Sequence, residues 1–210
     1  MIIALAGCSG RTEAGLQVPG IPTPSTVALA APSPRTDLLL QAVDQLLQAT
    51  GGPRKSLRLV AVTRGPGSFT GIRNALACAL GIAQGLNIPA HGFSSLLVQA
   101  ARTREDQVLA AQPARKGWVY AQRFRRNHGW EADGPVEVIP VQALSSVSLP
   151  VAAPATLVLP PEVQAACTSL STVEALLTLA SGLGEADAST LVPFYVEDFP
   201  AQVHSYGRSA

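Results

Sequence analysis

Val62-Thr63-Arg64-Gly65-Pro66-Gly67-Ser68-Phe69-Thr70-Gly71-Ile72-Arg73 is the stretch on which the reading of the fold turns. It follows a short apolar run at residues 57–62 that reads as a buried strand, and it opens a long apolar segment reaching Leu86. Strand, glycine-rich loop and helix in that order point to an α/β fold. The first backbone N–H groups of such a helix lack intrahelical partners and its end is positive, so the loop is a ready anion site. It is not a P-loop, because no Gly-Lys-Ser/Thr closes it. Nor is it the dinucleotide fingerprint, because Thr70 stands where the third glycine belongs. The same glycines and proline equally suit a tight turn that only positions the helix. The residues leave both readings open.

The helix after the loop is unusually apolar. Between Gly71 and Leu86 its polar side chains are Arg73, Asn74 and Gln84. Two rows of small residues run along it at i, i+4: Ala75, Ala79, Ala83 and Ala77, Gly81, Gly85. Upstream, Thr36 or Asp37 suits the cap of a helix that stops at Gly51-Gly52-Pro53. On a wheel, Leu38, Leu39, Leu40, Ala42, Val43, Leu46 and Leu47 of that helix span roughly 200°, where one sheet contact needs only ~100°. The excess has two explanations: the helices pack on each other and on their own sheet, or together they form a flat subunit interface. At ~800 Å² per partner such an interface reaches standard size.

Working outward, residues 2–6 read as a buried strand. Residues 15–36 hold five prolines and leave room only for short extended pieces such as 26–30. Residues 94–101 suit a helix. After Arg104 the pattern changes. Two strands, 107–111 and 117–124, flank a turn at Pro113-Ala114-Arg115-Lys116, and 136–141 suits a third. Residues 156–159 form a short apolar stretch bounded by prolines. Ser171-Thr172-Val173-Glu174 has the capping-box spacing and should start a helix ending near Gly182. The tail, 193–200, reads as extended and holds Phe194, Tyr195 and Phe199. Both halves mix strands and helices, so two α/β subdomains are expected, 1–104 and 105–210.

Composition narrows the class. The 210 residues are 47% hydrophobic and 14% charged, which excludes intrinsic disorder. Three cysteines give no disulfide framework and fit a reducing compartment. Every apolar run is broken before the ~20 residues of a membrane span. The start, Met1 to Cys8, resembles a lipobox at Leu5-Ala6-Gly7-Cys8 but lacks a basic leader, so a cytoplasmic protein is expected. Net charge is only +1, yet residues 1–126 carry 14 Lys/Arg against 5 Asp/Glu, and residues 127–210 carry one Arg against nine Asp/Glu. Seven basic residues fall between Arg102 and Arg126. That suits either a nucleic-acid surface or two halves that neutralise each other.

Residues 62–96, from the run Gly-Pro-Gly-Ser-Phe-Thr-Gly with its following Ile-Arg to Leu96, resemble the TsaB (YeaZ) family of tRNA threonylcarbamoyladenosine biosynthesis proteins. Residues 35–47, 114–124 and 191–198 agree more weakly and in the family's order. The resemblance implies an actin-like, sugar-kinase/Hsp70-type (RNase H-like) fold of two related α/β subdomains. It also implies a non-catalytic subunit that pairs with a TsaD-like catalytic paralogue, joined by a TsaE-like ATPase and tRNA. The paralogue then modifies N6 of adenosine 37. Pairing is carried over to Leu39, Val43, Leu46, Leu47, Ile72, Ala75, Ala79 and Ala83, and the loop motif to Gly65, Pro66, Gly67, Ser68, Phe69, Thr70, Gly71 and Arg73. Ala79→Arg is therefore expected to abolish pairing and spare the fold. A homodimer through the same face is also compatible.

Where the family has an Ile-Asp-Thr-like end to its first strand, this chain has Ala6-Gly7-Cys8-Ser9. The acidic group that actin-like folds place near a metal-phosphate is therefore missing. No cofactor is expected on this chain alone, although ATP stays open, and no metal is expected. The histidines, His91, His128 and His204, have no partner at metal spacing, and the first helix lacks the paralogue's paired histidines. Cys8, Cys78 and Cys167 cannot be grouped. Ser68 and Thr70 stand where a hydroxyl caps rather than attacks. A Ser-His-Asp peptidase site requires distant contacts. Trp118, Tyr120 and Phe124 alternate amid arginines, as a half-buried strand face or an RNA-stacking face would. The rivals to a docking subunit are an ATP- or phosphate-binding enzyme using residues 65–71 and a direct tRNA binder using Arg102 to Arg126.

Overall fold

The computed structural model describes residues 1–9, 11–29 and 36–196. The proposed helix cap at Thr36 or Asp37, and Phe199 of the tail, lie outside the described side chains and residues.

A first sheet of five strands is built around β1 (Ile2–Ala6), with β2 (Thr12–Gln17), β3 (Ser25–Leu29), β4 (Leu59–Thr63) and β5 (Ala90–Phe93). Its order is β3-β2-β1-β4-β5. The first three strands are antiparallel, and β4 and β5 run parallel to β1. Side chains of a strand alternate between faces, and here the alternation sorts by size. Ile3, Leu5, Leu16, Val60 and Val62 face one layer, made of α1 (Thr36–Ala49) and α2 (Phe69–Leu86). Ala4, Ala6 and Ala61 face the other, made largely of α4 (Thr172–Ser181). The small side chains let α4 lie close. At Gly15 even a Cβ would come within 3.0 Å of Val173 Cβ.

The capping box expected at residue 171 is present. The Ser171 hydroxyl accepts from the Glu174 N–H at 3.3 Å, and the Glu174 carboxylate accepts from the Ser171 N–H at 2.7 Å. Its helix, however, does not belong to the second half. It packs on β1, β2 and β4, so the expected boundary at residue 104 is corrected: the chain crosses to a second unit and returns. The reason is area. With α1 and α2 on one face only, the alanine face of the sheet would be left in water, and α4 is the amphipathic segment that covers it.

The second sheet contains β6 (Gln107–Pro113), β7 (Trp118–Arg126), β8 (Trp130–Ala132), β9 (Glu137–Pro140) and β10 (Val151–Ala152). The β6–β7 hairpin turns at Pro113 to Gly117, where Gly117 takes a positive φ of 79°. One face packs on α3 (Ser95–Ala101) through Leu96, Ala100, Val108, Ala110 and Phe124. The other is covered by Leu144, Leu157, Leu159 and Val163, so part of the apolar stretch 156–159 serves as a cover for this sheet. The seam between the units is closed by arginines. Arg102 Nε donates to Leu170 O at 3.0 Å and Arg126 Nη2 to Thr103 O at 2.6 Å. Among the described residues no helix is long and apolar enough to cross a membrane.

Candidate functional site

The glycine loop sits at the C-terminal ends of β1 and β4, where α2 begins. Ser68 is the N-cap of α2, and its hydroxyl accepts the Gly71 N–H at 3.3 Å. The Ser68 N–H donates to Cys8 O at 2.9 Å, so this loop donor is spent on the chain's own backbone. The glycines are there for contact. A Cβ on Gly7 would lie 2.5 Å from Gly71 O, and one on Gly71 would overlap the Gly7 carbonyl. Gly67, at φ 148°, meets Cys8 O in the same way. Of the two readings of the loop, this geometry supports the tight turn.

The C-terminal residues close over the same place. The Phe194 N–H donates to Arg64 O at 2.7 Å, and the Arg64 guanidinium lies over the Phe194 ring at 5.3 Å. Tyr195 stacks on Phe69 with centroids 5.7 Å apart, and its hydroxyl accepts from Arg73 Nε at 3.1 Å. The two most distinctive sequence stretches, 65–73 and 191–196, therefore meet in space.

Outside the loop, α1 and α2 lie side by side and leave a groove of about 370 Å³ between them. Leu40, Ile82 and Leu86 form apolar walls, Val43, Leu47 and Leu57 the floor, and the Asp44–Arg54 ion pair the rim at 2.8 Å. Leu40 is 47% exposed. A Cβ built on Gly81 or Gly85 meets nothing within 4 Å. That row of small residues, with Ala77, faces outward.

A second concavity of about 540 Å³ separates the two units. Cys8, Ser9 and residues 67–69 form one wall, and Pro113, Ala114, Arg115, Tyr120 and Thr156 the other. Among the described residues no carboxylate lines it, and no three His, Cys, Asp or Glu side chains gather as a metal site would need. Burial pushes the Cys8 thiol up to about 11, only partly offset by its hydrogen bond with Thr63, so it is a neutral thiol at neutral pH.

The family model described as "TsaD: tRNA N6-adenosine threonylcarbamoyltransferase" matches residues 34–138. The Escherichia coli K12 protein named tRNA threonylcarbamoyladenosine biosynthesis protein TsaB is 34% identical over 111 residues, covering 49% of this chain and 48% of that one. Its Bacillus subtilis namesake is 34% identical over 92 residues, covering 43% and 40%. The solved structure titled YeaZ from Pseudomonas aeruginosa superposes with a TM-score of 0.72 at 25% identity, over 93% of this chain and 99% of that one.

The chain belongs to the TsaB (YeaZ) family. Its fold is the α/β, actin-like (RNase H-like) fold. The chain spans about half the length of the curated relatives it matches.

The eight residues carried over from the TsaB family as a pairing face are not on the surface. Leu39, Val43, Leu46, Leu47, Ile72, Ala75, Ala79 and Ala83 all belong to one buried cluster with Ile3, Leu5 and Val60. Only Val43 and Leu47 reach the floor of the groove. The wide apolar arc of the wheel is present, and for these eight residues it is used inward, because each helix meets both the sheet and its neighbour. Ala79 is fully buried, so Ala79→Arg would strike the fold itself. The open positions are Leu40, on the apolar arc of α1, and Ala77, Gly81 and Gly85, the second small-residue row of α2.

The other expected sites come out as structure. The basic stretch 102–126 is not one patch. Arg102 and Arg126 bind carbonyls at the seam, Arg125 pairs with Glu131 at 3.3 Å, and Arg115 lies over Trp118 at 4.4 Å. Arg123 and Arg125 alternate with Arg126 along β7, so they lie on opposite sheet faces. Phe124 is buried and Trp118 and Tyr120 are half-buried, as a strand face would have them. Ser189, Asp187 and His91 do come together, but not as a triad. The Asp187 carboxylate accepts from Ser189 N–H and Oγ at 2.8 and 2.7 Å, while His91 Nδ1 accepts from the Asp187 backbone N–H at 3.0 Å.

Proposed function

We propose that this chain is a non-catalytic docking subunit of the machinery that makes N6-threonylcarbamoyladenosine in tRNA. It pairs with a TsaD-like catalytic subunit, and a TsaE-like ATPase and tRNA join through that assembly in the cytoplasm. The relatives' names supply the pathway, and the groove between α1 and α2 is the observation that supports the docking role. Its walls are apolar, and Gly81 and Gly85 leave room for another backbone to come close. Apolar surface of that kind is costly to leave in water and is released by a partner of matching shape.

The mechanism is conformational. The subunit stabilises whichever arrangement of its partner binds the groove better, and its effect is limited by that difference in affinity. No cofactor is held by the chain alone. The loop spends the Ser68 N–H on Cys8 O, and among the described residues no carboxylate in the interunit cleft is available for a metal-bound phosphate.

The test is co-purification with the catalytic paralogue, followed by a tRNA modification assay with and without this chain. Gly81→Arg, at a position open to solvent, should not lower the melting temperature and should lose both pairing and stimulation. A Gly81→Arg protein that pairs normally removes the groove from the interface. Calorimetry with ATP and magnesium on the chain alone should show no binding; tight binding with turnover would move the assignment to an ATP-dependent enzyme. A complex-free chain that elutes as a dimer, lost in Gly81→Arg, would identify the groove as a self-pairing face.

A further inference from the structure

Residues 187–196 cross the molecule as a strap, from the free edge of β5 to the first turn of α2. At the near end, the Gly92 N–H donates to Thr190 Oγ1 at 2.7 Å, and the Asp187 N–H donates to the imidazole of His91 at 3.0 Å. At the far end, Phe194 is bonded to Arg64 and Tyr195 to Arg73.

We propose that His91 is a proton-operated latch for this strap: neutral, it holds residues 187–190 on the edge of β5, and protonated, it lets them go. The acceptor is Nδ1, which has a lone pair only while the ring is neutral with its proton on Nε2. An imidazolium presents two donors, so the Asp187 N–H would face an N–H and the bond is lost.

The charged groups facing the ring are Asp187, on the strap, and Arg64, on the loop after β4. Burial lowers the His91 pKa most, Asp187 opposes this, Arg64 adds to it, and the outcome is a pKa below the ordinary value. Each Asp187 oxygen already accepts one hydrogen bond from Ser189, the N–H on one and the hydroxyl on the other. The sign follows. Nδ1 must give up the Asp187 N–H before it can take a proton, so this bond makes His91 bind its proton less readily with the strap in place than with the strap away. Latching is therefore complete above the ordinary histidine pKa of ~6.5, weakens as pH falls through it, and is lost below the depressed value. Because the strap ends on Arg64 and Arg73, the proton is felt at the start of α2. This inference does not depend on the proposed function.

The experiment is amide hydrogen exchange on the full chain at about pH 7.5 and about pH 5, corrected for intrinsic rates, in the wild type and in His91→Gln. Glutamine keeps an acceptor and does not titrate. The wild-type strap should lose protection about three- to tenfold at the lower pH, which is what one ordinary hydrogen bond does to a local opening. The amides of β4 and the strap of His91→Gln should not change. A pH-independent wild-type strap, an equal loss in His91→Gln, or a parallel loss in β4 would each overturn the latch. An NMR titration of the wild-type His91 ring is the second measurement, and a midpoint at or above the ordinary value would overturn it as well.

Discussion

Three glycines lie in α2, and the same substitution at two of them should have opposite signs. At Gly81 a Cβ meets nothing within 4 Å, and the position is exposed. Gly81→Ala therefore gains the helix propensity of alanine, ~0.8–1 kcal/mol, with nothing lost. For a chain of this size that raises the melting temperature by about 2–4 °C. At Gly71 the Cβ would lie 3.0 Å from the Gly7 carbonyl carbon and 3.2 Å from Ser68 Oγ, and would overlap the Gly7 oxygen. Neither strand end nor helix start is a flexible side chain that can swing aside. Overpacking costs ~1–3 kcal/mol, and two backbones in contact belong at the upper end of that range. Set against a propensity gain of at most ~1 kcal/mol, Gly71→Ala should be destabilised by about 2 kcal/mol, or roughly 4–8 °C. Paired thermal melts of the two variants read the difference directly. If both shift the same way, the contact between Gly7 and Gly71 is not what makes residue 71 a glycine.

Two more outcomes are expected. Ser171→Ala removes the side-chain half of the capping box and should cost about 1 kcal/mol, measured by denaturant unfolding; no change would mean that α4 is held by packing alone. In the native protein at about pH 8, a thiol reagent should modify the exposed Cys167 quickly. Cys8 and Cys78 are buried and each pushed up to about 11 by that burial, so they should react only on unfolding or as pH rises toward that value. Fast labelling of Cys8 in the folded chain would mean that the interunit cleft opens more than the structure shows.

Much of the local structure was written in the sequence. Gly-Pro-Gly-Ser after an apolar run gave strand, turn and helix, with Ser68 as the cap it was expected to be. Ser171 and Glu174 marked the start of α4, and the turn at residues 113–116 gave the β6–β7 hairpin. These are short-range features, set by hydrogen bonds between residues a few positions apart. β5 left no such mark. Its four residues include a half-buried histidine and a glycine, too few for a period to show. Its identity as a strand comes from pairing with β4 on one side and from Thr190 pressing on Gly92 on the other.

The sequence by itself determined that α1 and α2 carry more apolar surface than one sheet contact can use, and that the glycine loop is too tight for side chains. Only the tertiary structure decided which side of each helix is spent on the core and which remains open. It buried Ala79 and its row, left Gly81 and its row open, returned α4 to the first sheet, and brought Tyr195 onto Phe69. The physical reason is that periodicity measures the width of an apolar arc along one segment. What covers that arc is fixed by contacts between segments that lie far apart in the chain, and no local pattern records them.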